Sequence, residues 1–245
     1  MQRTLDYNAT WNDAIALLKA HKEAVIAIAG VLIFLPSWIN YYVVGEPDLE
    51  GLKSASAIIA AFQEHWNTHW MAILPIVLAT MLGSFVLYVL MIRNELPRVG
   101  DALITGLKLF IPFFAASLIT GFITGLGVLA FLLPGFYLSA RFVTLPSVVA
   151  SGDYPGVAAP ITRAWELTRG VGWATLFLTL MVGIVGWISV TVAGLIVGLA
   201  LKLLGNGEAV RLVESGFNAL LGAGLSAVLI ALAVAIYRHL NAQDV

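Results

Sequence analysis

Five stretches of this chain contain no aspartate, glutamate, lysine or arginine: residues 24–45, 65–92, 109–140, 170–201 and 215–237. Each is longer than the roughly 20 residues a helix needs to cross a bilayer's hydrocarbon core. In lipid, every backbone donor and acceptor must be satisfied within the chain, which restricts such stretches to helices or a closed barrel. Continuous apolar runs of this length, without period-2 alternation, select helices. Only 11% of the 245 residues are charged and 60% are hydrophobic, whereas a soluble domain is about a quarter charged.

The remaining composition excludes several classes. The net charge of −1 gives no electrostatic footprint for nucleic acid. The absence of cysteine removes disulfides, thiolate chemistry and iron–sulfur clusters. The polar first 22 residues and the long apolar run after them do not fit a cleaved leader, so that run is expected to remain as a membrane anchor.

Residues 11–22, "WNDAIALLKAHK", set Trp11, Ile15 and Leu18 at helical spacing, and Thr10 followed by Asp13 reads as a capping box. This predicts an amphipathic helix on the membrane surface. The first span is expected at 24–44, with Trp38, Tyr41 and Tyr42 as an interfacial belt. Residues 45–68 read as a loop and a surface helix before a second span at 69–92, and residues 93–108 read the same way before a third at 110–132. Pro134-Gly135 predicts a tight reversal, followed by a short fourth span at 135–150. "SGDYPG" is a turn, and "AAPITRAWELTRG" (158–170) an amphipathic helix with Pro160 in its first turn. The fifth span falls at 171–201 and the sixth at 215–237. The expected fold class is therefore an all-α membrane protein: one polytopic domain over 1–245, a six-transmembrane helix bundle with amphipathic interfacial helices.

Cations set the orientation. With six spans, Arg3, Lys19, Lys22, Arg93, Arg98, Lys108, Arg141, Arg163, Arg169 and Arg238 share one side, against Lys53, Lys202 and Arg211 on the other. Both termini are thus expected in the cytoplasm. Gly121/Gly125 and Gly194/Gly198 are small-xxx-small pairs, and Gly222 and Gly224 add close-approach points. They suit packing within the chain or a homo-oligomer face.

Few residues carry chemistry. His65 and His69 lie four apart beside Glu64, but the residue after His65 is Trp66, not the glutamate of a metalloprotease helix, and the pair reads as part of an aromatic belt. No G-x-S-x-G or Walker loop occurs. No catalytic residue, metal site or cofactor is expected. Arg141 interrupts the uncharged stretch from 109 to 152. An arginine at span depth costs at least about 2.5 kcal/mol, so it is expected to snorkel, to pair with a helix C-terminus or carboxylate, or to hold a lipid phosphate or substrate. On a helix, Arg163, Glu166 and Gly170 share one face, and Trp165 and Arg169 another, with Trp173 four residues beyond. That pattern suits an interfacial anchor, or a phospholipid site formed by Arg141, Arg163, Glu166 and Arg169, with Glu166 a candidate partner for Arg141.

The segment "LPGFYLSARFVTLPSVVASGDYPGVAAPITRAWELTRGVGW", residues 133–173, resembles the glycerophosphoryl diester phosphodiesterase membrane domain and related bacterial inner-membrane families. The resemblance rests on Leu133-Pro134-Gly135, Arg141, Pro146, Trp165-Glu166-Leu167-Thr168-Arg169-Gly170 and Trp173. It implies a membrane module tied to phospholipid or envelope processes, and no catalytic residue carries over. The expectation is a non-enzymatic inner-membrane protein that contacts membrane phospholipids, with a second copy or another membrane protein as possible partner. A small transporter or permease component, motivated by Pro36, Pro75, Pro112, Pro134 and buried Arg141, is the alternative.

Overall fold

A computed structural model describes residues 4–49, 51–93, 98–203, 205 and 207–244. Among them there is no strand, and six helical segments are long and apolar enough to cross a membrane: Lys22–Val44, Ala55–Ile92, Val99–Ala130, Leu132–Ser151, Gly172–Lys202 and Glu208–Asp244. In chain order the helices are α1 (Tyr7–Ala20), α2 (Lys22–Ala29), α3 (Leu35–Ile39), α4 (Ala55–Ile92), α5 (Val99–Ala130), α6 (Leu132–Arg141), α7 (Leu145–Ser151), α8 (Ala158–Leu167), α9 (Gly172–Lys202) and α10 (Glu208–Asn241). Two π-helical stretches, Gly30–Phe34 and Asn40–Val44, flank α3. They make the first span one irregular helix around Pro36, whose missing N–H interrupts regular α pairing.

The amphipathic helix near the start is present as α1, with a different cap and a different face. Asp6 is the N-cap, its carboxylate accepting from the Ala9 amide at 3.0 Å. The Thr10 hydroxyl instead donates back to the Asp6 carbonyl at 2.6 Å, so the capping box at Thr10 and Asp13 does not form. The buried positions are Thr10, Ala14 and Leu17, and Trp11 stays exposed. This face is one residue out of phase with the Trp11–Ile15–Leu18 expectation because α1 packs on α10.

Two expected surface helices are instead extensions of spans. Ser54 caps α4 by accepting from the Ala57 amide at 3.2 Å, and the helix runs 38 residues without a break. At about 1.5 Å per residue it is far longer than the roughly 30 Å hydrocarbon core. The alanine-rich start supplies helix propensity, and Pro75 is absorbed inside the helix. Likewise α5 starts at Val99 rather than 110. Gly106 does not break it, because a Cβ there would lie 2.6 Å from Val86 Cγ2. The glycine lets α5 approach α4.

The reversal expected at Pro134-Gly135 sits earlier, at the extended residue Phe131 (φ −160°, ψ 140°). Pro134 falls in the first turn of α6, where its missing N–H removes no helical bond. A Cβ on Gly135 would run into the backbone and side chain of Val128, and one on Gly127 would lie 3.1 Å from the Gly135 Cα. The α5–α6 hairpin closes through these two glycines. The fourth span is then two helices, α6 and α7, separated by a turn at 142–144.

Buried residues concentrate in the last half of α4, from Gly83 to Met91, in α7, and in α10 from Ile230 to Tyr237. Phe85 and Phe113 stack at 4.1 Å between ring centroids, joining α4 to α5. The end of α4, the start of α5, the α1–α2 elbow, α8 and the end of α10 lie at one end of the bundle, the terminal end. The α5–α6 hairpin, the end of α9 and the starts of α10 and α4 lie at the other, the hairpin end. There Trp38 Nε1 donates to Leu212 O and Ser215 Oγ at 3.2 and 3.1 Å, and Tyr42 donates to Glu208 Oε1 at 2.8 Å. Trp38 and Tyr42, at the end of the first span, are thus ties to α10.

Candidate functional site

The charged stretch 158–170 forms α8 and the turn after it. The α7–α8 connection turns on Gly152 and Gly156, both at positive φ (77° and 81°). Pro160 is buried in the first turn of α8, with Ala164 and Leu167 on the same inner face.

Arg141 ends α6 and is 3% exposed. Its Nη1 donates to Thr168 O at 2.6 Å and its Nη2 to Trp165 O at 2.7 Å. The Thr168 hydroxyl donates back to Arg141 O at 2.9 Å, and the guanidinium lies 4.0 Å over the Trp165 ring. Arg141 therefore occupies the carbonyl end of α8, where a cation also complements the helix dipole. Only its Nε lacks an acceptor among the described residues. The sequence stretch explains the geometry: Gly170 takes φ +85° to turn the chain. A Cβ on Gly172 would lie 2.9 Å from Arg141 Cδ and from the Tyr137 ring, so that glycine makes room for the arginine.

The four expected site residues do not converge on one point. Main-chain carbonyls, rather than Glu166, take the terminal donors of Arg141. Glu166 and Arg169 stand on the exposed side of α8 and its turn. Arg163 points the other way, to the end of α10, with Nη1 2.9 Å from Asp244 Oδ2 and Nη2 donating to Asn241 Oδ1 at 2.8 Å.

The Arg141 arrangement recurs. Arg93 donates from Nε and Nη2 to Ala150 O and Ser151 O, both at 2.8 Å, at the carbonyl end of α7. Arg238 donates to Met91 O near the end of α4. Arg211 donates to Tyr42 O at 2.6 Å, at the end of the first span. In each case an arginine from one segment donates to carbonyls at or near the end of another helix.

Cations not committed in this way gather elsewhere at the terminal end. Lys19, His21, Lys22 and Arg98 line a cleft of about 490 Å³ between the α1–α2 elbow and the start of α5, with Glu23 the acidic residue in its wall. Arg98 is the N-cap of α5 and gives that helix no side-chain cap; Asp101 lies in its first turn. Three permanent cations thus sit beside the positive end of a 32-residue helix dipole. Burial and the nearby Arg238 hold His21 below its ordinary value of 6.5. The sequence contained these residues only as separate positive charges; the elbow at His21 and the antiparallel return of α4 and α5 bring them together.

His65 and His69 sit one turn apart on α4 with ring centroids 4.7 Å apart. Among the described residues they belong to no cluster of three metal-ligating side chains. Gly121, Gly125, Gly222 and Gly224 meet nothing within 4 Å, whereas Gly194 and Gly198 face Asn218 and Glu214 of α10. Packing within the chain thus accounts for Gly194/Gly198 and not for the others.

No family model matches this chain, and no curated protein or solved structure does either.

Proposed function

We propose that this chain is a non-enzymatic, multi-pass protein of the bacterial inner membrane whose cytoplasmic face binds the headgroups of anionic phospholipids. The observation that carries this reading is the cleft lined by Lys19, Lys22 and Arg98 beside the α5 N-terminus. A phosphate there would meet cations and helix-end amides together, the arrangement that suits an anion at a helix N-terminus. The excess of lysine and arginine on the terminal end supports a cytoplasmic placement, where anionic lipid is abundant. Exposed Arg169, with Trp165 and Trp173 (40% and 55% exposed), adds a second headgroup-level contact. The resemblance of residues 133–173 to a phospholipid-associated membrane domain points the same way.

This reading moves the lipid contact away from Arg141. An arginine 3% exposed with both terminal nitrogens on carbonyls serves as a structural clamp, which also weakens a permease built around it. The test is native mass spectrometry of the full chain released from nanodiscs of mixed phosphatidylglycerol and phosphatidylcholine. Wild type is expected to retain phosphatidylglycerol. Lys19→Ala/Lys22→Ala/Arg98→Ala is expected to lose that retention at least several-fold, and Arg169→Ala to lose less. Equal retention by wild type and the triple variant would overturn the proposal.

A further inference from the structure

At the hairpin end, α9 and α10 diverge around a second cleft of about 580 Å³, closed on one side by Tyr41 and Glu46. Glu214 and Asn218, one turn apart on α10, face Gly198 and Gly194, one turn apart on α9. A Cβ at Gly198 would lie 2.7 Å from Glu214 Oε1, and one at Gly194 2.6 Å from Asn218 Oδ1. The two polar side chains occupy that space only because both α9 positions are glycine.

Among the described residues, neither Glu214 nor Asn218 takes a hydrogen bond from another side chain or from the main chain of α9. The other charges at this end are differently placed. Glu208 accepts from Tyr42, and Arg211 donates to the Tyr42 carbonyl. Glu46 and Lys202 line the cleft itself. The wall therefore offers two carboxylates, Glu214 and Glu46, an amide from Asn218 and an ammonium at the end of α9. Trp187, Leu195 and Leu199, all largely exposed, continue it as an apolar flank.

Both side chains are part-exposed to the cleft, and a carboxylate that opens into a cleft pairs best with a cation. Lys202, the last residue of α9 and part of the same lining, supplies the complementary charge for an anion. We infer that this cleft binds an ammonium–phosphate zwitterion, with the ammonium on Glu214 and Asn218 and the phosphate toward Lys202. A phosphoethanolamine group meets that description, either on a lipid whose acyl chains follow the apolar flank or as the free compound. The site lies at the opposite end of the bundle from Lys19 and Arg98, so the two proposals fail independently.

The experiment uses the full chain. Native mass spectrometry from nanodiscs of phosphatidylethanolamine and phosphatidylglycerol reads the lipid arm, and calorimetric titration with free ethanolamine phosphate reads the soluble arm. Glu214→Gln keeps the side chain's size and removes its charge, and Gly198→Ala fills the space its carboxylate occupies. Circular dichroism melting checks that both variants fold. Wild type is expected to retain phosphatidylethanolamine, with at least a fivefold loss in Glu214→Gln. Titration by the free compound, lost in Glu214→Gln, would equally support the site and assign it to a soluble ligand. Binding in neither arm, or equal binding by wild type and folded Glu214→Gln, overturns the inference.

Discussion

Arg141 lies with its guanidinium 4.0 Å above the Trp165 ring while its Nη2 donates to the carbonyl of that same tryptophan at 2.7 Å. One arginine thus engages both the side chain and the main chain of one residue, and its Nη1 holds the Thr168 carbonyl in the turn that follows α8. The planar fork of a guanidinium can bridge two carbonyls and lie flat on a ring, which a lysine ammonium cannot do. The cost of placing a charge at this depth is offset by neighbours fixed in the same turn.

Replacing Arg141 should therefore destabilise the fold more than a surface change. Hydrogen bonds to a charged group contribute roughly 1.5–3 kcal/mol each, and a desolvated cation–π contact about 2 kcal/mol. Arg141→Ala is expected to lower the unfolding temperature in detergent most. Arg141→Lys should fall between it and wild type, because an ammonium lacks the planar fork that spans both carbonyls while lying flat on the ring. Trp165→Leu should cost less than Arg141→Ala. Melting of Arg141→Ala at the wild-type temperature would show that the clamp contributes nothing.

Gly172 is the space that admits this arginine. A methyl group there would lie 2.9 Å from Arg141 Cδ and from the Tyr137 ring, and overpacking of this kind costs about 1–3 kcal/mol. Gly172→Ala is expected to lower thermal stability, and Arg141→Ala/Gly172→Ala to lose less than the sum of the two single changes. A double-mutant cycle measures that coupling; additive losses would mean the two residues do not share space.

The helical class and six spans were legible because apolar runs of bilayer length leave few alternatives. The junctions were not. A long span and a surface helix followed by a span share the same periodicity, and only packing decides between them: Gly106 against Val86 made α5 continuous where composition suggested a break. The depth of Arg141 was legible from the uncharged run around it. Its partners were not, because main-chain carbonyls leave no mark in a sequence, whereas Glu166 did and stands on the exposed side. The cleft at Lys19, Lys22 and Arg98 depends on the elbow at His21 and on two antiparallel helices, a long-range relationship that spacing does not encode.

The same distinction separates glycines that look alike. Gly135 is packed against Val128 across the α5–α6 hairpin, whereas Gly121, about one turn before its pair-mate Gly125, meets nothing within 4 Å. Gly135→Ala should force the hairpin apart and reduce both folded yield and melting temperature. Gly121→Ala should leave stability unchanged or slightly raised, since alanine is the better helix former by up to about 1 kcal/mol. Equal effects in a detergent melting series would argue against the hairpin contact.

His21 gives the elbow a pH dependence. Burial first, and Arg238 second, hold its folded value below the ordinary 6.5. As pH falls through 6.5 the unfolded chain takes up the proton before the folded one does, so protonation favours unfolding. The contribution is complete above pH 6.5, declines as pH drops toward the folded value and is constant below it. Wild-type protein is expected to melt at a lower temperature at pH 5.0 than at pH 7.5. His21→Asn should flatten part of that difference, because asparagine does not titrate. The loss is modest, since His21 is only half-buried and solvent screens it. Identical pH slopes for wild type and His21→Asn in thermal scans would assign the dependence to other groups.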